Sequence, residues 1–98
     1  MTLQICTEKI RNKLGQDSSL NARLKFDCGD EGVIFVDAIV RPHVVDNQSR
    51  DADCTVSLSL DDLTALLAGE LNPVNGFMSG KLKLAGDMSI AMRLQKVV

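Results

Sequence analysis

A chain of 98 residues, 45% hydrophobic and 24% charged, is long enough for one domain with a single core and too apolar to stay disordered. Its formal charge is −2, with seven bases and seven acids in residues 1–50 and four bases and six acids in 51–98. An even spread of charge and only three aromatic residues, Phe26, Phe35 and Phe77, argue against a nucleic-acid partner.

The N-terminal "MTLQICTEKIRNKLG" reads as a helix. Leu3, Cys6, Ile10 and Leu14 recur at helical spacing, and Gly15 is expected as its C′ stop. It has no apolar run of signal-peptide length, and no stretch approaches the ~20 apolar residues of a membrane span. The terminal "QKVV" is unlike a Ser-Lys-Leu address, so a cytoplasmic protein with three reduced cysteines is the expectation.

Strand patterns follow a polar "QDSS" loop. In "NARLKFDCG", Ala22, Leu24, Phe26 and Cys28 alternate with Arg23, Lys25 and Asp27, which predicts a strand with one wet face. "GDEG" is a hairpin-length turn, and "VIFVDAIV" (33–40), apolar on both faces except at Asp37, suits a central strand. "HVVD" (43–46) predicts a short return strand after Arg41-Pro42. "DCTVSLS" alternates again, with Cys54, Val56 and Leu58 inward.

At Ser59 the period turns helical. Ser59 and Asp62 form a variant capping box, Leu60, Leu63, Leu66 and Leu67 line one face, and Gly69 closes the helix. Asn72-Pro73 starts a short helical turn, with Asn as N-cap and Pro at the first position. "KLKLA" (81–85) predicts a strand with Leu82 and Leu84 on one side, and Gly86-Asp87 caps a final helix. On that helix Ser89, Arg93 and Lys96 make one polar stripe. Met88, Ile90, Ala91, Met92, Leu94 and Val97 cover most of the rest, with Gln95 as a polar exception. So apolar a helix must be largely buried or must cover something apolar.

The residues hold no catalytic constellation. Cys6, Cys28, Cys54 and His43 fall one per element without metal-ligand spacing, so no metal and no cofactor is expected. The inward strand phase of Cys28 and Cys54 disfavours thiolates, which weakens a Cys–His nucleophile. The acidic pairs at 30–31 and 61–62 fall at a turn and a helix N-terminus, where acids serve structure. What stands out is the end of the chain. Residues 75–95, "NGFMSGKLKLAGDMSIAMRLQ", hold three of the four methionines and one of the three phenylalanines. Flexible apolar side chains of this kind either fill an irregular core or line a cavity for an apolar ligand.

The run "DADCTVSLSLDDLTALLAGELNPVNGFMSGKLKLAGDMSIAMRLQ" resembles the sterol carrier protein type 2 domain family. The resemblance rests on Asp51-Ala52-Asp53, a Leu-rich helix ending at Gly69, Asn72-Pro73, Phe77 to Lys83, Gly86-Asp87-Met88 and Ala91 to Gln95, with Arg93 in place of the more frequent Lys. It implies an α+β domain over residues 1–98, a single five-stranded, mainly antiparallel sheet with helices packed on one side, enclosing a hydrophobic tunnel. It also implies non-enzymatic binding, and transfer, of a lipid: a fatty acid, fatty acyl-CoA or sterol-like molecule. The expected partner is therefore a lipid, with a fatty acyl chain favoured, at most transient membrane contact, and a monomer or dimer. Phe77, Met78, Leu84, Met88, Ala91, Met92 and Gln95 are the expected lipid contacts, Gln95 as a polar anchor able to donate and accept. Because Gln95 stands three residues from the end of the sequence, no longer terminal segment is expected to gate the tunnel. An alternative is an accessory interaction module with a filled core that supports a lipid-pathway enzyme, and a cysteine enzyme stands further off.

Overall fold

Apolar residues on one side of the first segment make it a helix, and the sheet below keeps that side dry. The computed structural model describes residues 2–16, 20–40 and 42–93. In α1 (Leu3–Gln16), Cys6, Ile10 and Leu14 are buried while Glu8, Lys9, Arg11 and Asn12 face solvent. Thr7, the buried polar residue of this face, donates its hydroxyl to the Leu3 carbonyl at 2.8 Å and accepts from the Asn47 amide at 3.0 Å. The helix does not stop at Gly15 as expected. Gly15 stays outside the left-handed region, where a C′ glycine acts, so the helix runs through it to Gln16.

Five short strands form one mixed sheet in the order β3-β2-β1-β4-β5. They are β1 (Arg23–Asp27), β2 (Val33–Asp37), β3 (Val44–Asp46), β4 (Cys54–Ser57) and β5 (Lys83–Gly86). The β1–β4 pairing is parallel and the other three are antiparallel. The register puts Leu24 beside Val36 and Cys54, and Phe26 beside Ile34 and Val56, so one face is a continuous apolar surface. Here α1 and α2 (Leu60–Leu67) pack, with Leu63 and Leu66 buried against it. Each fully buried Leu, Ile or Phe contributes on the order of 2 kcal/mol of hydrophobic stabilisation, and the fold rests on this cluster.

Asp37 ends β2 early, cutting the predicted strand at 33–40 to five residues. Its Oδ1 accepts the backbone N–H groups of Ile39 at 3.0 Å and Val40 at 3.3 Å, and Arg23 pairs with Oδ2 at 3.3 Å. Burial pushes the Asp37 pKa up, but those hydrogen bonds and the Arg23 charge outweigh it and hold the pKa below its ordinary value. On the opposite face Phe35 is also buried, under the Arg50 guanidinium at 5.6 Å from the ring centroid. Arg50 is fixed there by its ion pair with Asp46 at 3.0 Å.

The three expected N-caps are made as the sequence places them. Ser59 Oγ accepts from the Asp62 N–H at 3.0 Å at the start of α2. The Asn72 side chain accepts from the Val74 N–H at 2.8 Å at the start of α3 (Pro73–Met78). Asp87 accepts from the Ser89 N–H at 2.9 Å and its hydroxyl at 2.7 Å at the start of α4 (Met88–Ala91). Between β5 and α4, Gly86 turns the chain at φ +105°, and a Cβ there would overlap the Asp53 carbonyl, which the Asp87 N–H bonds at 2.8 Å. This contact sets α4 over β4 and β5.

Candidate functional site

The last three described elements, α3, β5 and α4, do not close on one another. A cavity of about 390 Å³ lies between them. Pro73, Val74 and Phe77 of α3 form one wall, Leu82 and Leu84 the floor, and Met88, Ala91 and Met92 the other wall.

The placement follows from local sequence. Gly76 lets α3 sit directly on Leu82, because a Cβ there would come within 3.1 Å of the leucine Cγ. Its carbonyl accepts from the N–H groups of Lys81 at 2.9 Å and Leu82 at 3.1 Å, folding the chain back under the helix. Leu84 pairs with Val56 and so faces the helix side of the sheet. On α4, Ile90 enters the core and leaves Met88, Ala91 and Met92 on the cavity. Arg93 ties the end of this segment down by donating to the Leu20 carbonyl at 3.0 Å.

The final helix was expected to be largely buried or to cover something apolar, and its described part does the second. Met88 is 52% exposed and Met92 86%, and across the opening Val74 is 56% and Phe77 45% exposed. As the described residues build it, the apolar space opens to solvent between α3 and α4.

Five of the seven expected lipid contacts, Phe77, Leu84, Met88, Ala91 and Met92, share this cavity. Met78 does not line it: one residue past Phe77, it lies about 100° around the helix and is 79% exposed. Gln95, the expected polar anchor, lies outside the described residues. Pro73, Val74 and Leu82 were not singled out from sequence. The spacing of Val74 and Phe77 was the available signal for the first wall, and the alternation of Leu82 with Leu84 for the floor.

No wall residue carries an ionisable or polar side chain. The nearest charged cap, Asp87, is held below its ordinary pKa by the Ser89 hydroxyl and N–H and by the Arg93 charge. Cys28 and Cys54 are poor nucleophiles. Burial, then the charges of Cys6, Asp27 and Glu31, pushes Cys28 up to about 11, and burial followed by Asp87 raises Cys54. His43 sits on a loop with Nδ1 2.9 Å from the Val40 carbonyl oxygen. Among the described residues no three His, Cys, Asp or Glu side chains could hold a metal ion.

The pattern of the SCP-2 sterol transfer family matches residues 4–98, nearly the whole chain. The chain belongs to that family. Sterol carrier protein 2 of Oryctolagus cuniculus is 44% identical over 54 residues, 55% of this chain and 10% of that protein. Hydroxysteroid dehydrogenase-like protein 2 of Bos taurus is 44% identical over 50 residues, 51% of this chain and 12% of that protein. The chain thus matches about a tenth of the length of these family relatives. Among solved structures, apo sterol carrier protein 2 of Yarrowia lipolytica superposes with a TM-score of 0.76 at 25% identity, over 93% of this chain and 84% of that one. Palmitated SCP2L2 of Aedes aegypti gives 0.73 at 24% identity, over 99% and 94%. The family and the fold therefore agree.

Proposed function

We propose that this chain is a non-enzymatic lipid carrier that holds an acyl chain in the α3–β5–α4 cavity. The observation that carries this reading is a wall of eight apolar side chains around about 390 Å³, within the size range of small-molecule sites. Such a surface rewards an apolar chain by burial alone and offers no group to polarise a reacting bond. The family points the same way, and the palmitated Aedes aegypti protein gives acyl occupancy a precedent within the fold. An open cavity weighs against a filled-core accessory module. Raised thiol pKa values weigh against cysteine catalysis.

Native mass spectrometry of freshly purified protein, with extraction of the same sample and titration with oleate, tests the proposal. A near-stoichiometric adduct, released on denaturation, supports it; a bare mass with no oleate uptake overturns it. Met88→Glu sharpens the test. Met88 is half-exposed, so stability should change by no more than about 0.5 kcal/mol. A carboxylate on an apolar wall should weaken oleate uptake about tenfold or more. Equal uptake by the folded variant would remove the cavity from the mechanism.

A further inference from the structure

The cavity wall changes character with depth, which gives a ligand a direction. Leu82 on the floor is buried and belongs to the core cluster, Leu84 and Ala91 are half-buried, and Phe77 and Met92 at the opening are exposed. All the described wall residues are apolar, so a carboxylate pushed inward would lose its water without gaining a partner. An acyl chain therefore enters methyl end first and keeps its head at the opening.

The inner end of that path is fixed. Leu82 is wedged under Gly76, where even a Cβ would come within 3.1 Å of the leucine Cγ, and its other contacts are in the core. A floor packed on both sides does not retreat to admit a longer chain. A methylene takes about the room of one water in the liquid, roughly 30 Å³, so about 13 chain carbons fill the cavity of about 390 Å³. Ala91 has the smallest side chain on the wall, a single methyl group on α4 midway between floor and opening. Any carbon added there takes room from the ligand.

We infer that the cavity selects acyl chains by length, saturating at about 13 carbons, and that Ala91 sets where it saturates. The inference rests on the carrier reading above and adds the size of the ligand to it. Each methylene that passes the opening leaves water and raises affinity about fourfold. Once the methyl end meets Leu82, further methylenes stand at the opening beside exposed side chains and add little. Selection is therefore one-sided: short chains are disfavoured, and a longer chain such as oleate is still held with its head-side carbons outside.

The test is displacement of a fluorescent fatty acid by saturated acids from octanoate to octadecanoate, one at a time and below micelle formation. In the parent protein affinity should climb about fourfold per methylene as far as dodecanoate or tetradecanoate. Hexadecanoate and octadecanoate should then lie within about threefold of tetradecanoate. Ala91→Leu adds an isopropyl group to the wall and should move the break to near decanoate. Leu84→Phe fills similar room from β5 and should move it the same way, so the residue-level test stands if one variant does not fold. Met78→Leu, off the wall, should leave the break in place. An affinity that climbs unbroken to octadecanoate in the parent overturns the length limit and leaves the carrier reading intact. A break that stays put in folded Ala91→Leu removes Ala91 from it, and a break moved by Met78→Leu removes the wall. Failure to bind any acid, the fluorescent one included, would overturn the carrier reading itself and the length limit with it.

Discussion

Cys28 lies at the end of β1, where its side chain turns inward among the buried core residues. Its thiol is pushed up to about 11, first by that burial and then by neighbouring negative groups. At pH 8 only about a thousandth of it is thiolate, against roughly a quarter of an unperturbed cysteine. Alkylation of Cys28 by iodoacetamide at pH 8 should therefore be more than about 100-fold slower in the native protein than in urea, followed by peptide mass mapping. Equal rates would show that the thiol is accessible and normal. This much was readable from sequence, because strand alternation assigns a face residue by residue: Cys28 and Cys54 fall inward with Leu24, Phe26 and Val56, and all five are buried. The exposure of Met78 was not readable. On a six-residue helix with Pro73, Val74, Phe77 and Met78 apolar, no polar face marks which side turns out.

Elements were legible where a local rule encodes them. Ser59, Asn72 and Asp87 act through bonds to residues two or three positions on, so spacing alone identified three helix starts. Endings failed where they depend on tertiary context: Gly15 remains helical, and Asp37 ends β2 through a side chain held partly by Arg23 on the neighbouring strand. The cavity walls depend on how α3 and α4 dock, which periodicity does not specify. The docking of α4 turns on Gly86, where a methyl group would strike the Asp53 carbonyl and force an unfavourable φ. Gly86→Ala should destabilise the domain by about 2–4 kcal/mol in urea unfolding. A change below about 0.5 kcal/mol would mean the β5–α4 turn is not held by that contact.

For the whole molecule, one side of the sheet is sealed by α1 and α2, whereas the α3–β5–α4 end is left open around an apolar space. Sequence and fold together account for that asymmetry. The first part offers enough apolar side chains to cover Leu24, Phe26, Ile34, Val36 and Val56, and the last part gives Ile90 to the core and spends most of the rest on the walls. The family resemblance reached the opening as a ligand space.

The parallel pairing of β1 with β4 also orders events in time. The β1–β2 hairpin forms from adjacent residues, but β4 can join β1 only after the excursion through β2 and β3 is complete. β5 can join the sheet only through β4, its neighbour there. Non-local contacts of this kind form late, after their loop-closure cost is met. Leu84→Ala should therefore speed unfolding several-fold and leave refolding nearly unchanged, while Leu24→Ala should slow refolding, as stopped-flow chevrons would show. The reverse pattern would place β5 in the nucleus. If the order holds, the vessel is the last part of the protein to be finished, and a nascent chain has a settled core before it has anywhere to put a cargo.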